Sequence, residues 1–314
     1  MDAGLLFLIA FGATCAMQLS CFVIAYLCKF DKITDLAGSA NFVLVAVMTL
    51  LLAPEQPPTT RQIVVTCLVS ACRVQLALWL FYRVLKRGKD DRFDEVRGNF
   101  FYFLAFWIWQ ILWVYVVSVS VIFINSSSDD PPLGAWDYIG WITFAVGWVL
   151  QVAADLQKLR FRSDPANKRR VCTTGVWRLS RHPNYCGEVL IWWGIFIAGI
   201  PLYVKDPVGF STIVSPLFTM GVLLALTGIP QAEGQAAKRW FDGGDMQRQF
   251  EDYFASTPPL WLCPPAIYRQ LPLALKRVLC FELPMYEYKP SLADDGPPEA
   301  TRNAKPPITV HQQQ

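Results

Sequence analysis

The stretch "VWRLSRHPNYCGEVLIWWG", residues 176–194, sets a polar cluster directly against an apolar run. Arg178, Arg181, His182, Asn184 and Glu188 crowd its first half, and Trp192 and Trp193 mark its second. His182 is one of the chain's 2 histidines; the other, His311, lies in a polar tail. Pro183 suits the first turn of a helix, where its missing N–H costs nothing. The helix is predicted to start there, with Asn184 and Glu188 on one face and Tyr185 on a neighbouring stripe. The apolar part alone, 189–204, falls short of the roughly 20 residues that cross a bilayer. It can span only if its polar preface is also helical and buried in protein. The first turn then forms the floor of a polar cleft, and lipid begins near Val189.

Working outward, the remaining chain reads as a polytopic membrane protein. Of its 314 residues, 54% are apolar, above the 45–50% usual for soluble chains, and they fall in long runs. Spans are predicted at 4–28, 36–53, 62–82, 99–124, 138–154, 189–204 and 208–229. The first has no basic residues before it, so it reads as a spanning helix rather than a cleaved leader. Loops after spans 3 and 5, "RVLKRGKDDRFDEVRG" and "QKLRFRSDPANKRRVCTTGVWRLSRH", are rich in Lys and Arg. The loop "NSSSDDPPLGAWD" between spans 4 and 5 has neither. The positive-inside rule then places the N-terminus in the lumen and the C-terminus in the cytosol. The fold class expected is all-α with about seven transmembrane helices. Residues 1–60 supply N-terminal transmembrane helices and 61–265 a membrane domain with a cytosolic cleft. Residues 266–289 form a C-terminal segment at the membrane face, and 290–314 a polar, proline-rich tail read as disordered.

Several chemistries are poorly supported. The 9 cysteines are odd in number, form no CxxC pair and sit partly inside apolar runs. They read as reduced thiols, with no disulfide framework and no metal site. There is no GxGxxG and no GxxxxGK[ST], so a nucleotide would bind without a Rossmann domain or P-loop. Nucleic acid is not an expected partner, because the basic groups lie against the bilayer face.

Three further groups carry polarity. In "DLQKLRFR", Asp155, Lys158 and Arg162 share a helical face. Lys158 and Arg162, one turn apart and alike in charge, repel unless an anion sits between them; the plain alternative is a helix end snorkelling to lipid phosphate. Arg73 in mid-span needs a partner, and Asp155 and Glu188 are both candidates. Glu188 is costly beside a span unless paired or solvated, and pairs with Arg181 or Arg178 would cap the span. The stretch "PQAEGQAAKRWFDGGDMQRQFEDYF", with Glu233, Lys238, Arg239, Trp240 and Tyr253, reads by itself as an interfacial amphipathic helix broken at Gly243–Gly244.

Together, "ADLQKLRF", "TTGVWRLSRHPNYCGEVLIWWGIF", "SPLFT", "LTGIPQAEGQAAKRW" and "FEDYFASTPPLWLCPP" resemble the steroid 5-alpha-reductase C-terminal-domain superfamily. The closest branch is the one with the SRHPNYxGE-WWG signature, related to sterol C14 reductases and to isoprenylcysteine carboxyl methyltransferases. The resemblance covers about residues 60–265. It implies a helical membrane fold with NADPH entering from the cytosol, and a home in the endoplasmic reticulum. Carried over by position, Lys158 and Arg162 match the basic pair for the adenosine-side phosphates. Trp177, Asn184 and Tyr185 match cofactor contacts, and Arg181, His182 and Glu188 belong to the same signature. Tyr253 and Lys238 match more loosely, because the spacing between them drifts.

The implied reaction is hydride transfer from NADPH to an activated C=C bond of a lipid-like sterol, steroid or enone, with protonation by an acid or hydrogen-bond donor. The steroid reductases use a Glu–Tyr pair that has no match in the N-terminal half here. No catalytic residue is therefore assigned, although Tyr82, Tyr102 and Tyr115 are present. One alternative is an S-adenosylmethionine-dependent isoprenylcysteine-type carboxyl methyltransferase, against which the basic pair argues, since that cofactor has no phosphate. The other is an inactive scaffold of the same fold. Membrane lipid is an expected partner, and the sequence leaves the oligomeric state open.

Overall fold

The computed structural model describes residues 2–29, 33–54, 57–87, 99–129, 131–167, 170–237 and 245–288. Among them there is no strand. Helices α1 (Ala3–Cys28), α2 (Thr34–Leu51), α3 (Thr60–Arg87), α4 (Phe100–Ser126), α5 (Ala135–Ser163) and α6 (Pro183–Tyr203) follow in order. A seventh segment, Pro207–Ala232, is broken into a 3-10 stretch (Pro207–Ile213), α7 (Val214–Ala225) and α8 (Ile229–Ala232). All seven are long and apolar enough to cross a membrane, and the chain is an integral membrane protein of all-α class. The loop 88–98, Lys238 with the Gly243–Gly244 break, and the tail from 290 lie outside the described residues.

Local chemistry sets the helix ends. Asp2 caps α1 by accepting from the Leu5 N–H, and Asn99 caps α4 by accepting from Phe101 and Tyr102, which satisfies otherwise orphaned donors. Pro183 stands in the first turn of α6, as the sequence predicts. Along α1, Leu6, Ala10, Thr14, Gln18 and Phe22 form one buried stripe at a spacing of about four residues, while Leu8 and Leu27 face outward toward lipid.

Hydrophobicity alone cannot specify how helices meet inside lipid, so small residues and hydrogen bonds do so. Asn125 on α4 donates to Ala46 O (3.2 Å), Thr49 Oγ1 (2.9 Å) and Thr66 Oγ1 (3.2 Å), tying α2, α3 and α4 together. Gln18 on α1 donates to Asn41 on α2 at 2.9 Å. Ser215 holds α7 to α4 through Val117 O at 2.6 Å. Near the loop between spans 4 and 5, Arg61 pairs with Asp137 at 2.6 Å and also donates to Pro131 O.

The closest helix pair is α5 with α6. Gly140 and Gly147 on α5 face Gly194 and Gly187 on α6. A Cβ at Gly147 would lie 2.6 Å from Gly187 O, and one at Gly194 would lie 2.7 Å from Gly140 O. Two backbones therefore touch where no side chain intervenes. This contact sets the C-terminal end of α5, with Lys158 and Arg162, beside the N-terminal end of α6, with His182.

Candidate functional site

A cavity of about 370 Å³ opens where these two ends meet. Lys158 and Arg162 from α5, Trp177 and His182 from the segment before α6, and Glu233 after α8 all line it. The segment before α6 is shaped by Gly175, whose φ of +58° is open to glycine at no steric cost. There Gln157 accepts from the Val176 N–H at 2.8 Å. Trp177 is thereby fixed with its indole N–H on Ala154 O at 2.8 Å. Its ring lies 4.2 Å from the Lys158 ammonium, a cation–π contact that orients the cation.

Glu233 is the acidic centre of the site. One oxygen is 2.6 Å from His182 Nε2 and 3.1 Å from Arg181 Nε. The other, Oε2, is buried and has no hydrogen-bond partner. A carboxylate only accepts, so His182 carries its proton on Nε2. Burial holds the imidazole below its ordinary pKa, and the hydrogen bond to Glu233 opposes this only in part. Arg181 also reaches Glu282 at 2.6 Å and stacks on Phe254 at 4.1 Å. Burial disfavours its charge, but the carboxylates of Glu233 and Glu282 more than offset that.

The C-terminal segment straps the site in place. The Arg181 N–H donates to Pro258 O at 2.9 Å, Ser180 Oγ to Leu260 O at 2.8 Å, and the Cys263 N–H to Leu179 O at 2.9 Å. The Tyr268 hydroxyl donates to Glu282. Tyr253, on the Asp245–Ser256 helix (α9), donates its hydroxyl to Trp177 O at 2.5 Å and is within 3.2 Å of Ser180 O. Burial pushes that phenol far above its ordinary pKa, so it stays a donor.

The structure thus gathers Lys158, Arg162, Trp177, Arg181, His182 and Tyr253 around one cavity. Three signature residues, Asn184, Tyr185 and Glu188, lie elsewhere. Glu188 points into the bundle, where Arg73 (2.9 Å), Gln151 (2.7 Å) and Trp192 (2.8 Å) all donate to it. Of the sequence candidates for its partner, Arg73 is the one found; Arg181 instead holds Glu233 and Glu282. Tyr185 stacks on His182, with ring centroids 5.1 Å apart and planes 3° from parallel. It lines a second cavity, of about 790 Å³. Tyr102 lines that cavity too, whereas Tyr115 donates to Phe7 O at 3.4 Å. Asn184 has a buried Oδ1 with no partner and lines neither cavity. Sequence reading missed Glu282, which lies 101 positions from Arg181 and carries no local motif. It also left Glu233 on an interfacial helix, although one side chain three residues after a proline gives no hint of a distant histidine. Among the described residues, no group of three or more His, Cys, Asp or Glu is placed to hold a metal ion.

Comparison with known proteins places this architecture. Over 139 residues the chain is 28% identical to the Uncharacterized protein C594.04c of Schizosaccharomyces pombe, covering 36% of this chain and 40% of that protein. Over 46 residues it is 41% identical to the "Probable O-methyltransferase ustE" of Ustilaginoidea virens, covering 15% of this chain and 16% of that one. The chain therefore matches well under half the length of either relative. No solved structure matches it. The profile of the family described as "Protein of unknown function (DUF1295)" matches residues 21–257. The chain belongs to that DUF1295 family, which is related to the steroid 5-alpha-reductase-like proteins.

Proposed function

We propose that the protein is an NADPH-dependent membrane reductase acting on an activated C=C bond of a lipid-like substrate. The observation that carries this reading is one cavity lined by two cations a helical turn apart, Lys158 and Arg162, together with the unpartnered Oε2 of Glu233. These residues fit a phosphorylated nucleotide. Two adjacent like charges repel, and a phosphate between them relieves that repulsion; a buried acceptor without a partner calls for a donor such as a ribose hydroxyl or an amide N–H. Lys158 and Arg162 would hold the phosphates, and Glu233 would take the donor. Trp177 and the neutral His182 would form the wall. When bound, NADPH supplies the hydride. The chain's own work is to place the cofactor, exclude water and present Tyr185 and His182 at the inner wall. The family resemblance supports the endoplasmic reticulum as the membrane, and a fluorescent fusion imaged with a reticulum marker checks this.

The test is a titration of purified protein with NADPH, followed by nicotinamide fluorescence. Binding at micromolar concentration is expected. Removing one charge-assisted phosphate contact is worth about 1.5–3 kcal/mol, so Lys158→Ala and Arg162→Ala should each weaken binding at least about tenfold. No binding at tens of micromolar, or variants indistinguishable from the parent, would sink the reading.

A methyltransferase is the second reading, favoured by the 46-residue similarity to a protein called a probable O-methyltransferase. S-adenosylmethionine carries cationic groups that Glu233 could receive, but no phosphate for Lys158 and Arg162. A thermal-shift comparison separates the two: stabilisation by S-adenosylmethionine and not by NADPH selects the methyltransferase.

A further inference from the structure

We propose that the outer face of the C-terminal segment, residues 265–279, docks on an anionic lipid surface, and that this docking holds the segment closed over the basic cavity. Beyond lying at the membrane face, the segment selects lipid charge and passes the contact on to the site, whatever reaction the site performs.

The inner side of this part of the chain is polar and fixed. Tyr268 is fully buried and gives its hydroxyl to Glu282, and Glu282 receives Arg181 at 2.6 Å. Tyr286, also buried, donates to Leu224 O in the last turn of α7 at 2.5 Å. The Arg181 N–H on Pro258 O and the Cys263 N–H on Leu179 O join the same stretch to the residues just before α6. Both α6 and the segment that holds α7 are long and apolar enough to cross a membrane. The C-terminal segment therefore lies against the end of the bundle, where the spanning helices leave the bilayer.

The outer side is apolar and basic. Ile267, Leu273, Leu275, Val278 and Leu279 are 42–70% exposed. On the short helix Leu273–Leu279, Leu275, Val278 and Leu279 share one face. Lys276 turns inward, with its ammonium 4.5 Å from the Tyr268 ring centroid, which leaves that apolar face outward. A patch of this kind marks an interaction site, and at the end of a membrane bundle its neighbour is lipid. Charge selects which lipid. Residues 265–279 contain three basic residues and no acidic one, and Arg269 and Arg277 are exposed. The nearest acid along the chain, Glu282, is turned inward to Arg181 and Tyr268. An apolar face accompanied by basic side chains is the pattern of an interfacial anchor. The Lys- and Arg-rich loops predict the cytosolic side for this end of the bundle, and that leaflet carries the anionic lipids.

The two sides stand back to back on one short stretch of chain. If the segment lifts away, Tyr268 and Glu282 leave with it, and Arg181 loses one of its two carboxylates. Arg181 lines the basic cavity. Lipid docking therefore favours the closed arrangement, in which Arg181 stays shared between Glu233 and Glu282.

The experiment compares the full chain in two nanodiscs, one of phosphatidylcholine alone and one of phosphatidylcholine with phosphatidylserine. Hydrogen–deuterium exchange is read at the Arg181 and Cys263 amides, which report closure through Pro258 O and Leu179 O. One basic residue near an anionic surface is worth about fivefold. Exchange of both amides should be at least about fivefold slower with phosphatidylserine, and added salt should narrow the difference. The double variant Arg269→Gln with Arg277→Gln should exchange alike in both discs, with its melting temperature in the neutral disc confirming folding. Val278→Asp, which sets an acid in the exposed apolar face, should erase the difference as well. Equal exchange of the parent in both discs would overturn the proposal and leave this face to a protein or a second copy of the chain. A difference that survives in both variants would also overturn it. So would equal slowing in neutral discs by soluble glycerophosphoserine, which would make the ligand a free phosphate. No nucleotide is present in the assay, so success or failure of NADPH binding bears on the reductase reading alone.

Discussion

Arg73 and Glu188, 115 positions apart, meet at 2.9 Å inside the helical bundle. The guanidinium lies between the rings of Phe42 and Trp192, 5.3 and 5.1 Å from their centroids. Gln151 and Trp192 complete the carboxylate's partners. The pair joins α3 to α6 in the buried interior of the bundle, where an unpaired charge has no water to turn to.

Removing one partner should therefore cost far more than removing both. Arg73→Met or Glu188→Leu alone leaves a buried charge and should destabilise the protein by about 3–5 kcal/mol. The double variant should lose clearly less than the sum. Denaturant unfolding in detergent, arranged as a double-mutant cycle, measures the coupling. Additive losses would mean that the two side chains do not act as a pair.

The glycine contact between α5 and α6 makes a second prediction. Gly147→Val places a branched side chain where even a Cβ would lie 2.6 Å from Gly187 O. Overpacking costs about 1–3 kcal/mol where neighbours can move, and here the neighbour is backbone, so the loss should reach or exceed that range. Gly12→Val, on α1 with open space around it, should change the melting temperature little and serves as the control.

His182 gives a pH dependence with a definite sign. Burial keeps its folded-state pKa below the ordinary 6.5. Below about pH 6.5 the unfolded chain takes up a proton that the folded chain declines, so stability falls as pH falls. The slope approaches but does not exceed about 1.4 kcal/mol per pH unit for one proton. Melting temperatures between pH 7.5 and 5.5 should decline in the parent and decline less in His182→Gln. An equal decline in both would assign the effect to other groups.

Tyr253 is expected to act through structure. Tyr253→Phe leaves Trp177 O and Ser180 O without this donor inside the protein. Each buried unsatisfied acceptor costs about 1–3 kcal/mol, so a loss of at least about 1 kcal/mol is expected, with faster proteolysis near residues 177–180. Unchanged proteolysis and melting would show that the hydroxyl does not hold this segment.

Much of this architecture is written locally and was legible in the chain. Seven apolar runs appear as seven segments because the bilayer's thickness sets a length that sequence displays directly. Pro183 marked the start of α6 because its ring fixes a helical φ and needs no hydrogen bond there. Lys158 and Arg162 share a face because helical spacing requires it. The seventh segment is less regular than its uniform apolarity suggests, since a 3-10 stretch and a break at Gly228 do not alter hydropathy.

The class of fold, the start of α6 and the grouping of charges along each helix are legible in the chain alone. Which side chains meet is settled by packing across the bundle. Glu188 sits in the same short motif as Arg181 and His182, yet it turns into the bundle toward Arg73 while they turn to Glu233. Tyr185 stacks on His182 and opens onto a different cavity. Periodicity assigns a residue to a face of its own helix. Which helix that face meets depends on close backbone approach at glycines and on hydrogen bonds across long separations, and neither leaves a periodic trace in the chain.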